Sequence, residues 1–274
     1  MKTAPPLIDT HCHLDAREFD HDRQGVIERA YSKGVTGILI PAVEVSNFTT
    51  VRDLAVQVQG GAYAIGIHPM FVRYAQADDL VRMREFLETH RDDPNLVAIG
   101  EIGLDFFVPE ISQGAERDKQ LVFYQEQLKL AKAFDLPVLL HVRKSQDELL
   151  KWLRRLGSPG GIAHAFNGSF QQAQQFLDLG FVLGAGGAMT FDRALQIRRL
   201  VTQLPLTAWV LETDAPDISP AWLGSGARNE PAEIAQMAQV LAQLRECDEA
   251  TILRQTTTNA CRVLPKARAL WCAK

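Results

Sequence analysis

Apolar positions fall along this chain in eight short continuous runs, at 7–12, 35–43, 63–67, 96–100, 137–141, 161–165, 181–184 and 208–211. Runs that are continuous rather than alternating mark parallel strands covered on both faces. The stretches between them carry helical spacing. Leu121, Tyr124, Leu128 and Ala131 recur at intervals of three and four, as do Ile234, Met237, Leu241 and Leu244, with Pro231 suited to a first turn. Turn signals precede several strands: Lys33-Gly34, Asp135-Leu136-Pro137, Leu179-Gly180 and Leu204-Pro205. Eight β-then-α units predict an α/β fold, a TIM (β/α)8 barrel, as one domain over 1–265 with a loose tail at 266–274. An open doubly wound sheet is the alternative, because a strand count does not prove closure. No Gly-x-Gly-x-x-Gly follows the first strand, and no internal repeat or linker is visible.

Composition narrows this picture. The chain has 274 residues, of which 46% are hydrophobic, and a formal net charge of −4. A core of that size is affordable in one barrel, and a general basic coat for nucleic acid is excluded; any phosphate site must be local. The four cysteines, Cys12, Cys247, Cys261 and Cys272, form no C-x-x-C and suggest no disulfide framework. Cys12 lies between two histidines and is expected to be buried and reduced. Residues 1–6 lack the apolar stretch of a secretory signal, and no run approaches the ~18 residues of a membrane span. A cytoplasmic protein without a membrane or an obligate protein partner, and a monomer, is the expectation.

The chemistry sits at the predicted strand ends, where barrels of this kind carry their active sites. Strand 1 leads into His11 and His13. Residues i and i+2 on a strand share a face, so both imidazoles reach one point. Strand 3 leads to His68, strand 4 to Glu101 and Asp105, strand 5 to His141 and Arg143, strand 6 to His164, and strand 8 to Glu212, Thr213 and Asp214. His21 and His90 lie in charged stretches and read as solvated. Four histidines and two carboxylates (His11, His13, His141, His164, Glu101 and Asp214) form a candidate ligand set. Imidazole with carboxylate suits Zn, Mn, Fe or Ni, whereas an all-oxygen set favours Mg or Ca. Six ligands exceed the needs of one catalytic ion with an open position. Two divalent ions bridged by Glu101 are therefore expected, with His11, His13 and Asp214 on one ion and His141 and His164 on the other. Each residue taken alone also has an ordinary structural role. His68 could be a bonded core histidine, Glu101 could pair with Arg143, and Asp214 could cap a helix.

The motifs Ile8-Asp9-Thr10-His11-Cys12-His13, Gly66-Ile67-His68-Pro69, Gly100-Glu101-Ile102-Gly103-Leu104-Asp105, Leu140-His141, Leu211-Glu212-Thr213-Asp214-Ala215-Pro216 and Arg228-Asn229-Glu230-Pro231 resemble the TatD family of metal-dependent deoxyribonucleases, in particular its YjjV-like branch. The resemblance runs over 7–265. It implies an amidohydrolase-superfamily barrel with one or two divalent ions, and the same six ligands. It also implies DNA as substrate, at a 3′ end or a single strand. One departure is Asn167, where the family usually has Ser or Thr. Glu101 stands in the place of the carbamylated lysine common in the wider superfamily.

The chemistry expected is hydrolysis of a phosphodiester by metal-activated water. Asp214 is the candidate general base. His68 is placed to bind a phosphate oxygen or help the leaving group. Arg143 is placed to fork onto a phosphate. Arg228 and Asn229 are candidate substrate contacts, with a loop-fixing turn as their alternative. Phe71, Phe106, Phe107 and Trp222 are candidates for stacking on bases. Two other functions remain open at this stage: an amidohydrolase or deacylase acting on a carbon centre, such as the ester of a charged tRNA, and a non-enzymatic metal-binding partner.

Overall fold

The eight apolar runs become eight strands, each entirely parallel to its neighbours and paired in chain order. They are β1 (Leu7–Asp9), β2 (Val35–Pro41), β3 (Gly61–Ile65), β4 (Leu96–Asp105), β5 (Val138–Arg143), β6 (Gly161–Ala163), β7 (Phe181–Ala185) and β8 (Trp209–Leu211). This computed structural model describes residues 5–157 and 160–272. Helices α1 (Arg23–Ser32), α2 (Phe48–Gln57), α3 (Pro69–Val72), α4 (Ala77–Thr89), α5 (Gly114–Phe134), α6 (Gln146–Leu156), α7 (Phe170–Asp178), α8 (Leu195–Gln203), α9 (Ile234–Leu244), α10 (Glu249–Val263) and α11 (Arg268–Trp271) follow in turn.

The open-sheet alternative fails at the seam between β8 and β1. Thr10 donates to the Leu211 carbonyl from its backbone N–H (3.1 Å) and from its hydroxyl (2.9 Å). The Asp214 N–H donates to His11 (2.8 Å) and the His13 N–H to Ala215 (2.8 Å). These bonds close the cylinder and fix the ends of β1 and β8 against each other. Regular pairing in β1 stops at Asp9, short of the predicted end; beyond it Thr10, His11 and His13 bond across this seam, while the Cys12 N–H still donates to Leu39 of β2. In contrast, β4 runs on to Asp105.

A slip in register in β4 positions the acid at the centre of the mouth. Ile99 pairs with Val138 and Ile102 with Leu140, so Gly100 and Glu101 together oppose Leu139. Such a bulge re-aims the side chain it contains. Gly100 is required there: its φ is +131°, and a Cβ would lie 2.5 Å from the Leu139 carbonyl oxygen.

Two apolar layers hold the barrel. The larger lies between the outer strand faces and the helices. The smaller fills the barrel interior with Ile8, Leu39, Val97, Leu139, Ile162, Val182 and Val210, and continues into Leu264, Ala267 and Trp271. The segment from Lys266, expected as a loose tail, is therefore packed as far as Trp271; residues 273–274 lie outside the described residues. Trp271 donates from Nε1 to the Gly60 carbonyl (2.9 Å), and its ring lies where a Cβ on Gly37 would be. The cysteine expectation also changes: Cys261 and Cys272 are joined in a disulfide, while Cys12 and Cys247 are free. No helix among the described residues is long and apolar enough to cross a membrane.

Candidate metal centre

Glu101 lies at the middle of a cluster of histidines, its two carboxylate oxygens facing different groups. Oε2 is 3.1 Å from His11 Nε2 and 3.4 Å from His13 Nε2. Oε1 is 2.9 Å from His141 Nδ1, 3.3 Å from His68 Nε2 and 4.0 Å from His164 Nε2. Asp214 Oδ1 is 3.7 Å from both His11 and His13 and 3.4 Å from His164 Nε2. All six predicted ligands thus converge, and His68 joins them.

The donor set fits divalent ions. Ligand atoms bound at ~2.0–2.2 Å to one ion lie about 3–3.5 Å from each other, close to the spacing found here. The ligand atoms of three triads, His11–His164–Asp214, His11–His13–Glu101 and His68–Glu101–His141, each fall within 4.8 Å of one another. The histidines are spaced unevenly around Glu101. The His164 ring stacks on His11, centroids 3.7 Å apart, beside Asp214. The partner of His141 is His68, 3.0 Å away.

Burial and mutual charge set the protonation of the cluster. Burial depresses His11, helped by the charge of His164. Burial also depresses His68, against the pull of Glu101. At His13 burial acts the same way but is outweighed by Glu101 and Asp214, which hold the imidazole at about 9. Glu101 and Asp214 are pulled below the usual carboxylate range by their histidines, despite burial.

Three acids that the sequence reading did not assign hold this cluster in place. Asp105 Oδ2 lies 3.1 Å from His141 Nε2, and its Oδ1 accepts the N–H groups of Phe107 and Val108. Burial raises Asp105, but His141 and those N–H groups bring it to about 2. Glu212 Oε1 lies 3.1 Å from His164 Nδ1 and accepts the Ala165 N–H. Room for this carboxylate requires Gly184, where a Cβ would lie 2.1 Å from it. Asp9 accepts from the Thr213 N–H and hydroxyl and from the His11 N–H. Burial lifts Asp9 to about 7 against the Thr213 bonds. A carboxylate bonded to the far nitrogen of a ligating histidine, as Asp105 is to His141, fixes ring orientation and tautomer, whereas Asp9 acts on the His11 backbone. All three acids lie inside motifs visible in the sequence. The signal that could have marked them is that each stands within four residues of a candidate ligand.

The remaining predicted residues separate into two groups. Arg143 stands at the mouth, half-exposed, with Nη1 3.7 Å from Asp105 Oδ2. Arg228 and Asn229 do not offer free polar groups to a substrate. Arg228 forms a two-pronged pair with Asp22 (2.7 and 2.8 Å) and donates to the Glu18 carbonyl. Asn229 is fully buried, its Nδ2 donating to the carbonyls of Thr213 (2.9 Å) and Asp217 (3.0 Å). Both fix the loop after β8. Trp222 is tied to Glu233, and Phe106 lies under Arg117, while Phe71 stands edge-on to His68. Phe107 is 47% exposed. His21 is exposed, and His90 is half-buried, stacked on Phe86. Cys12 is buried, which pushes its thiol up and away from reactivity. Asn167 lines a small cavity with Glu212 and Asp214. A groove of about 670 Å³ opens beside the cluster, among the loops that follow β1, β7 and β8.

A (β/α)8 barrel with histidines and carboxylates gathered at its C-terminal mouth defines the class of metal-dependent barrel hydrolases. Comparison with known proteins makes this particular. The family model described as TatD related DNase matches residues 8–265. The metal-dependent hydrolase YjjV of Escherichia coli is 41% identical over 240 residues, covering 87% of this chain and 90% of that protein. Human deoxyribonuclease TATDN3 is 31% identical, with 96% of each chain covered. The 3′-5′ ssDNA/RNA exonuclease TatD of Erwinia billingiae is 30% identical, covering 93% and 97%. The crystal structure of E. coli YjjV superposes with a TM-score of 0.88 at 37% identity, covering 94% of this chain and 98% of that one. The chain belongs to the TatD family and is a metal-dependent hydrolase.

Proposed function

We propose that this protein hydrolyses phosphodiester bonds at the 3′ ends of single-stranded DNA, using two divalent ions held by His11, His13, Glu101, His141, His164 and Asp214. The observation that carries the reading is the division of Glu101, with one oxygen among His11 and His13 and the other among His68 and His141. Relatives named as deoxyribonucleases and as a 3′-5′ exonuclease support the choice of substrate. Divalent ions at such a site supply positive charge for the phosphoryl oxygens and lower the pKa of water toward neutrality.

The protein's own groups then have definite tasks. Asp214 accepts the proton of the attacking water as the new P–O bond forms and the bond to the departing sugar oxygen breaks. His68 Nδ1 accepts the Met70 N–H, which leaves Nε2 as the protonated nitrogen, aimed into the cluster. That N–H donates to a phosphate oxygen or to the departing oxygen. The Arg143 guanidinium binds a non-bridging oxygen from the rim. Asp105 and Glu212 hold His141 and His164 in register.

The test is turnover with Mn²⁺ on single-stranded DNA, beside small esters, amides and lactones. DNA cleavage is expected, and Glu101→Ala should reduce it by more than the ~10–100-fold typical of losing a residue that merely orients a ligand. Metal analysis should show a matching loss of bound ion. Turnover of carbon esters alone, or full activity in Glu101→Ala, would overturn the reading.

A further inference from the structure

The two sides of the barrel mouth differ in what they present to a polyanion. On the side of β4 and β5, Phe107 stands 47% exposed with two cations against its ring: the Arg143 guanidinium at 4.1 Å and the Lys144 ammonium at 4.8 Å from the centroid. This loop is not slack. Asp105, which also contacts His141, accepts the Phe107 N–H at 2.8 Å. Lys144 has φ +54°, a left-handed conformation few lysines adopt, at the turn from β5 into α6. Opposite, the groove beside Asp214 is lined by the acids Glu18 and Asp217. Its Arg228 is committed to Asp22, leaving Arg193 as the cation without an acidic partner among the described residues lining it.

An exposed ring flanked by cations is the arrangement that holds single-stranded nucleic acid, because every base has a face to stack and every link carries a charge. The opposite groove, with two acids, disfavours a run of phosphates. We propose that the strand upstream of the scissile phosphate leaves the centre over the rim of β4 and β5, its nearest base on Phe107 and the next phosphate on Lys144. This path rests on the single-strand reading above and assigns it a direction across the molecule.

The experiment compares decathymidylate with thymidine 5′-(4-nitrophenyl phosphate), which has no upstream nucleotide. Phe107→Ala and Lys144→Glu should each raise KM for the decamer about tenfold, the scale of one lost stacking contact or one reversed charge. The loss on the aryl ester should be at least about fivefold smaller, since that substrate does not reach the rim. Lys144→Gln should make the logarithmic salt dependence of decamer binding shallower by about 0.7. Equal losses on both substrates, or none on either, overturn the path. Anisotropy of a labelled phosphorothioate decathymidylate separates this from failure of the hydrolysis reading. Binding weakened in the variants, without cleavage of DNA by the unaltered protein, upholds the path and overturns the activity. Cleavage with unweakened binding overturns the path alone.

Discussion

The two ends of the barrel are built from the same eight strands and have opposite characters. At the N-terminal end, Leu264, Ala267 and Trp271 seal an apolar interior. At the C-terminal end, five histidines and two carboxylates stand within a few ångströms of one another, with His11, His68, Glu101 and His164 buried and the other three half-buried. Burial of apolar area stabilises, whereas burial of ionisable groups costs unless they are paired or bind metal. The difference teaches where stability and chemistry are separable: the floor bears the stability that lets the mouth hold a strained set of charges.

The comparison breaks most visibly at the floor. Trp271→Ala removes a large buried ring together with its bond to Gly60, and should cost about 3–5 kcal/mol. Thermal unfolding should shift down by roughly 5–10 °C. Below that transition, turnover and metal content should match the unaltered protein. A fall in turnover at a temperature where the variant is folded would show that the ends are coupled.

The mouth should respond in the reverse sense and less strongly. Asp105→Asn and Glu212→Gln keep side-chain size while weakening the hold on His141 and His164. Each should lower metal affinity about 10–100-fold, read by competition with a chelating dye. The unfolding temperature of the metal-free protein should move far less than in Trp271→Ala. Should either substitution leave metal affinity intact, that carboxylate does not orient its histidine.

Much of this organisation was legible in the sequence, and the rest was hidden for identifiable reasons. The eight strands were readable because burial on both faces turns each into an unbroken apolar run. The convergence of His11, His13, Glu101, His141, His164 and Asp214 followed from one rule about strand ends. What that rule omits is distance across the mouth. It gives no way to see that the His164 ring stacks on His11, because this depends on side-chain reach. Asp105 and Glu212 were in view, but their roles depend on which nitrogen of a neighbouring ring faces them. The packed segment after Lys266 did carry a signal: Leu264, Ala267 and Trp271 fall at helical spacing, on one face. A run that short is readily taken for a fraying end.

The smallest expected effect sharpens the division within the mouth itself. Arg143 ends β5 and Arg228 lies in the loop after β8, and the sequence offers both as phosphate contacts, with a loop-fixing role as the alternative for Arg228. The structure distinguishes them by their partners. Arg143 is 48% exposed and 3.7 Å from the nearest carboxylate oxygen, so its donors remain available. Arg228 has both prongs on Asp22, in a network that includes Arg29 and Glu230. Exposed pairs of this kind contribute about 0–1 kcal/mol, and a two-pronged pair in a network falls toward the upper end. Arg228→Ala should therefore lower stability by about 1 kcal/mol or less and change KM for DNA by less than about twofold. Arg143→Ala removes a charged donor from a phosphate, worth ~1.5–3 kcal/mol, and should raise KM at least about tenfold. Steady-state kinetics of the two variants on one oligonucleotide decides the matter. If Arg228→Ala proves the more damaging, the Asp22 pair must open when substrate arrives, and the loop after β8 is a moving part of the site.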